Sequence, residues 1–241
     1  MKNWTRFVFV LLLICGAGAC GKDSEDDIPD TRGRLLVYQM IPGGARFDVL
    51  LDTATLGSNL AYGESTNTYR EFRAQKYNLY VYPAGNHTVP IMAGELNLRH
   101  GKNLSAFLTA DRNDTLRVLV AEDDNTISTT SGNARMRIIN LSNSYFEVGS
   151  GANTTRRDLP LDFYLNYVDE KSQPVYRALN YGAVTAPAEI RLGNYDVDIN
   201  WTDSSKVLQT FPFRADSGKV YTLIATGDAR GTNFKMFQFA Q

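Results

Sequence analysis

Gly193-Asn194-Tyr195-Asp196-Val197-Asp198-Ile199-Asn200-Trp201-Thr202 is the stretch from which the fold can be read. Tyr195, Val197, Ile199 and Trp201 alternate with Asp196, Asp198, Asn200 and Thr202. In an extended chain successive side chains point to opposite faces, so this period of two predicts a strand with one buried and one wet face. Tyr77, Leu79 and Val81 alternate with polar residues in the same way. Further strands are expected at 35–40, 48–51, 87–92, 104–109 and 116–121, then at 136–140, 162–166, 207–213, 221–225 and 234–239. Turn-forming residues separate them, among them Pro42-Gly43-Gly44, Pro83-Ala84-Gly85-Asn86 and Asp216-Ser217-Gly218.

These strands fall into two sets that match in order. Arg34-Leu35-Leu36-Val37 resembles Arg135-Met136-Arg137-Ile138-Ile139, and Phe47-Asp48-Val49-Leu50-Leu51 matches Leu161-Asp162-Phe163-Tyr164-Leu165. Ala61-Tyr62-Gly63 parallels Asn180-Tyr181-Gly182, Tyr77–Val81 parallels Gly193–Val197, and Gly101-Lys102 matches Gly218-Lys219. Ordered similarity of this kind predicts a duplication, and two copies imply tandem domains, because a solenoid needs more repeats to bury a continuous core. Short strands at this spacing imply an all-β chain of two tandem antiparallel β-sandwiches, with about seven strands each. The expected domains are 33–121 and 134–241. The polar stretch 122–133, which opens with Glu122-Asp123-Asp124-Asn125, is expected to be a solvated linker.

Ahead of the first copy the composition changes. Lys2 and Arg6 precede the apolar run Phe7–Ile14, which is too short to span a bilayer but suits the core of a secretory signal. Ala17-Gly18-Ala19 then leads into Cys20, a pattern that resembles a bacterial lipoprotein signal, with residues 1–19 removed and Cys20 acylated. The chain has two cysteines, Cys15 and Cys20, so none is left in the body for a disulfide. Residues 20–32 read as an acidic tether. Lys22, Asp23, Glu25, Asp26 and Asp27 resemble the export signal that carries Bacteroidota lipoproteins to the outer face of the outer membrane. The expectation is a lipid-anchored outer-membrane protein facing the exterior, its membrane contact made through the anchor.

Composition narrows the function. Removing residues 1–19 takes two of the 25 basic residues and none of the 26 acidic ones, leaving a formal charge of −3. Without basic clustering the chain is not expected to bind nucleic acid. His87 and His100 are the only histidines; neither has an acid at ligand spacing, so no metal or cofactor is expected and both read as surface-loop residues. No nucleophile elbow or calcium-loop spacing is present. A pair of catalytic carboxylates could still meet in three dimensions, so a glycan-active envelope enzyme stands as the alternative to a non-enzymatic binding or assembly module, and a plain spacer as a third reading. The second copy carries an insertion at 142–158 relative to 42–46. It brings Tyr145, Phe146, Arg156 and Arg157, residue types favoured at contact hot spots, and is the candidate binding loop for an envelope protein or a glycan. Asp52-Thr53-Ala54 and Asp114-Thr115-Leu116 resemble a short O-glycosylation pattern.

Arg135–Ser142, Leu161–Leu165, Asn180-Tyr181-Gly182-Ala183-Val184-Thr185 and Gly218–Gly227 together resemble the family called domain of unknown function 4397. The match is close over 134–239 and looser in the first copy, where Ala106-Phe107-Leu108-Thr109-Ala110 replaces the Tyr-Thr-Leu run. The resemblance implies an immunoglobulin- or transthyretin-like sandwich in secreted or lipid-anchored bacterial proteins. It implies no catalytic residue.

Overall fold

The computed structural model describes residues 31–130, 132–167 and 174–240. Cys20 and the export-signal residues Lys22, Asp23, Glu25, Asp26 and Asp27 lie outside them. The first copy holds β1 (Arg32–Gln39), β2 (Phe47–Leu51), β3 (Ala54–Leu60), β4 (Arg70–Arg73), β5 (Lys76–Pro83), β6 (Met92–Asn97), β7 (Asn103–Ala110) and β8 (Leu116–Glu122). The second holds β9 (Asn133–Leu141), β10 (Tyr145–Val148), β11 (Thr155–Asp158), β12 (Leu161–Tyr167), β13 (Pro174–Leu179), β14 (Ala183–Val184), β15 (Ala188–Arg191), β16 (Gly193–Trp201), β17 (Val207–Ala215), β18 (Val220–Thr226) and β19 (Lys235–Ala240).

The duplication holds in both main sheets of each copy, with two differences: β10 and β11 have no counterpart in the first copy, and the strand registers align Leu79 with Val197, two residues on from the match of Tyr77–Val81 to Gly193–Val197. Sheets ordered β4-β1-β7-β8 and β3-β2-β5-β6 form the first sandwich; β14-β9-β18-β19 and β13-β12-β16-β17 form the second, with β15 also on β9. In each copy the first strand pairs parallel to the seventh or its equivalent, β1 with β7 and β9 with β18, so the otherwise antiparallel sheets carry one parallel pair. Leu35, Val37, Val49, Leu79, Val81, Ala106 and Leu108 fill the first core; Met136, Ile138, Phe163, Val197, Ile199 and Leu223 fill the second.

Two expectations are corrected. The 87–92 segment is a loop that reaches strand only at Met92, because Pro90 within it cannot donate to a ladder. The alternation in β16 stops at Ile199: a register shift between Ile199 and Asn200 buries Asn200 and turns Trp201 out to 38% exposure.

The two copies share a third core. Leu36, Tyr38, Met40, Phe107 and Ala121 of the first copy pack with Ile139, Leu141 and Ile224 of the second, flanked by Leu119, Phe237 and Phe239. The sheet carrying β1 and the sheet carrying β9 are therefore buried on both faces, which is why β1, β7, β9 and β18 read as nearly unbroken apolar runs. The result is a four-layer stack, and residues 32–241 form one compact unit.

The seam is reciprocal, as in an isologous dimer. Gly63 sits at φ +86 with its α-carbon so close to Phe237 that a β-carbon would meet the ring at 2.2 Å. Its counterpart Gly182, at φ +82, meets Leu119, the counterpart of Phe237. Thr226 donates from Oγ1 to the Met40 carbonyl at 2.9 Å. Burial at the seam pushes the Tyr62 hydroxyl up to about 12.

The 122–133 stretch is not uniformly solvated. Asp123 is buried: its carboxylate accepts from Tyr69 Oη at 2.7 Å, from Ser105 Oγ at 2.6 Å and from the Arg137 guanidinium. Arg137 also donates to Thr222 Oγ1 at 3.0 Å and to the Glu122 carbonyl at 3.1 Å. A charge buried this deeply persists because its partner and hydrogen bonds come with it. The polar composition that suggests a tether here instead ties the two copies together.

Candidate functional site

The candidate loop is a hairpin. β10 and β11 pair Tyr145 with Asp158, Phe146 with Arg157 and Glu147 with Arg156, across a 3-10 turn at Gly151–Asn153. Alternation divides the four candidates into two pairs. Tyr145 and Arg156 turn inward: the Arg156 guanidinium lies 4.2 Å from the Tyr145 ring centre and that of Arg230 lies 4.5 Å from it. Arg156 also donates to the Arg112 carbonyl at 3.1 Å, and Arg112 pairs with Asp158 at 2.8 Å. These contacts fasten the hairpin to the β7–β8 turn of the first copy, so Tyr145 and Arg156 act as a strut. Phe146 and Arg157 face solvent opposite each other, with Phe146 at 41% exposure.

His87 is not the acid-free loop residue its spacing suggests. Its Nε2 lies 2.8 Å from Asp48 Oδ2. Asp48 also accepts from the amides of Asn59 at 2.7 Å and Gly85 at 2.9 Å. Burial pushes the Asp48 carboxyl up, but these amides and His87 outweigh it and hold the pKa below the ordinary value. The counterpart Asp162 repeats the device: it accepts from the amide of Ala178 at 2.7 Å and from Thr202 Oγ1 at 2.7 Å. Asn59 and Ala178 both sit at positive φ, and the carboxylate stabilises each bend.

With His87 fixed, a second set of residues comes together that the sequence argument missed. On β5, Leu79 and Val81 point into the core, so Tyr80 and Tyr82 point out. Ring centres lie 6.3 Å apart between Tyr80 and Tyr82, and 5.0 Å between Tyr82 and His87. The row crosses the outer sheet of the first sandwich. Leu50 and Asp48 flank it on β2; Ala93, opposite Tyr80 on β6, leaves that ring uncrowded. Asn78, Glu95 and Arg46 stand at its margins. The second copy has Asp198 and Asn200 at the positions of Tyr80 and Tyr82, and Asp198 is taken up by Asn166 at 2.7 Å and by Thr210. The available signal was tyrosine at the wet positions of an alternating strand whose twin carries acids and amides.

A hollow of about 890 Å³ also opens along the seam, lined by Tyr38, Glu64, Tyr69, Asn125 and Phe239. Among the described residues no three His, Cys, Asp or Glu side chains are grouped to hold a metal ion, and no helix is long and apolar enough to cross a membrane.

Fold and surface define an all-β protein of two fused sandwiches with an aromatic row on one outer sheet. The chain belongs to the family described as Domain of unknown function (DUF4397), which matches residues 33–149 and 152–240. The break between the two matches falls in the β10–β11 turn. Among solved structures, the Bacillus anthracis TIE protein is similar at 13% identity and a TM-score of 0.25, over 82% of this chain and 34% of that one. A streptococcal structure described as alpha-glucan binding by a streptococcal virulence factor is similar at 10% identity and a TM-score of 0.26, over 86% of this chain and 96% of that one. This chain thus spans about a third (34%) of the TIE protein chain. Comparison with curated proteins gives no match.

Proposed function

We propose that the chain is a lipid-anchored, surface-displayed, non-enzymatic binding module, and that its ligand is a glycan laid across Tyr80, Tyr82 and His87. The row itself carries this reading. Tyrosine rings offer an apolar face to the C–H groups of a sugar and a hydroxyl to its rim. Asn78, Glu95 and Arg46 lie where sugar hydroxyls need hydrogen-bond partners. His87 is locked by Asp48, so the row is preorganised and binding orders few side chains. The second copy carries no such row. Cys20, acylated after loss of residues 1–19, holds the chain at the outer membrane, and the acidic residues behind it direct the body outward.

Affinity electrophoresis of the full chain through gels containing dextran, laminarin, xylan or mannan tests the ligand class. At least one should retard the wild type and not the Tyr80→Ala/Tyr82→Ala variant. Equal mobility of the two in every gel would remove the glycan reading. The anchor is tested separately: Cys20→Ala should release the chain from membranes, and external protease should digest the wild type on intact cells.

A further inference from the structure

Gly94 opens a groove in the first sandwich that its twin keeps closed. β6 and β8 are the end strands of their two sheets, and between them lies a hollow of about 510 Å³ lined by Ile91, Met92, Leu116, Val118 and Val120, with Gly94 among its lining residues. In the second sandwich the same place is filled. Phe211 pairs with Val197 as Gly94 pairs with Leu79, and Phe211 packs 5.7 Å from Phe234, whose counterpart is Leu116. Two phenylalanine rings are thus replaced by a glycine and a leucine. Neither backbone nor crowding demands that glycine: its φ is outside the left-handed region, and an added β-carbon would meet nothing within 4 Å. The apolar residues around it stay open to solvent, Ile91 at 38% and Val120 at 42%.

We infer that this groove accepts an extended polypeptide segment, which pairs along the free edge of β6 and seats a large apolar side chain where the second copy keeps Phe211. An end strand presents unpaired backbone N–H and C=O groups, which an added strand satisfies while its alternate side chains enter the hollow. A small apolar molecule would fill the hollow and leave those groups to water. Glu95 and Arg117 border the groove and suit a segment with neutral polar residues around its apolar anchor.

The test uses the isotope-labelled full chain in detergent and two capped peptides of alternating threonine and valine, one with a central phenylalanine and one with a central alanine. The phenylalanine peptide should shift amide signals in β6 and β8. The alanine peptide should bind about tenfold or more weakly, the usual cost of losing a buried phenylalanine side chain. Gly94→Phe supplies the missing ring from within; it should keep the wild-type melting temperature and lose the shifts. Shifts elsewhere, no shifts, or unchanged binding by a folded Gly94→Phe variant would overturn the proposal. Saturation of the same amides by phenylalanine amide at concentrations as low as the peptide needs would overturn it in favour of a small ligand. Concentration-dependent self-association through β6 would overturn it in favour of a second copy.

Discussion

Asp123 shows how far a single residue can depart from its composition. In a run of acids and amides it reads as solvent-facing, yet Tyr69, Ser105 and Arg137 surround it at the seam. Nothing local signals this, because Tyr69 arrives from the loop before β4 and Ser105 from β7. Asp123→Ala should cost about 3–5 kcal/mol in urea unfolding, since it strands the Arg137 charge, and adding Arg137→Met should recover most of that loss. Gly63 is legible only in part: Tyr-Gly in both copies marks a turn, but the Phe237 ring that excludes a side chain belongs to the other copy. Gly63→Ala should destabilise by about 1–3 kcal/mol, from positive φ and overpacking together. Acid should weaken the fold as well. Burial pushes Asp48, Asp111 and Asp228 upward, yet their amide and guanidinium partners win and lower all three. Asp124, bonded first by Thr126 and then by Arg135, is held at about 2 against the ordinary 3.8. The unfolded chain takes up protons first, so this stability is complete above the ordinary value and is lost as pH falls through the folded-state values. Thermal melts between pH 5 and pH 2 should show the melting temperature falling below about pH 4, the side on which unfolded aspartates protonate.

At the scale of elements, what could be read depended on whether a strand has a buried face of its own. β5 and β16 declare themselves by alternation, and β1, β7, β9 and β18 by apolar runs. β3, β4 and β13 are not legible because none keeps a clean alternation: β4 is the polar Arg70-Glu71-Phe72-Arg73, and β3 and β13 each meet their neighbour with register shifts. The hairpin β10–β11 was visible as an insertion, and the split between its two faces was not, since that depends on Arg112 and Arg230 approaching from elsewhere. Tyr145→Ala should therefore destabilise by about 1–2 kcal/mol through two lost cation–ring contacts. Phe146→Ala and Arg157→Ala should stay within about 0.5 kcal/mol, as solvent-facing changes do. Chemical denaturation of the three variants decides whether the hairpin is strut on one side and free surface on the other.

For the whole molecule, the duplication was legible in five ordered matches, one of them two residues out of register, and the consequence drawn from it was two beads on a linker. The structure replaces that picture with a four-layer stack. Strands read as merely apolar are covered twice, once by their own sandwich and once by the other copy, a distinction no single-strand pattern contains. This arrangement explains the division of labour between copies: each gives one sheet to the seam, leaving one outer sheet apiece, and only the first copy's is paved with Tyr80 and Tyr82. If the seam is as extensive as Leu36, Tyr38, Phe107, Ile139 and Ile224 make it, neither sandwich can unfold without baring the other's apolar face. Scanning calorimetry of the full chain tests this most directly. One transition, with calorimetric and van't Hoff enthalpies equal, is the predicted result; two resolved transitions, each with the heat of a single sandwich, would contradict it.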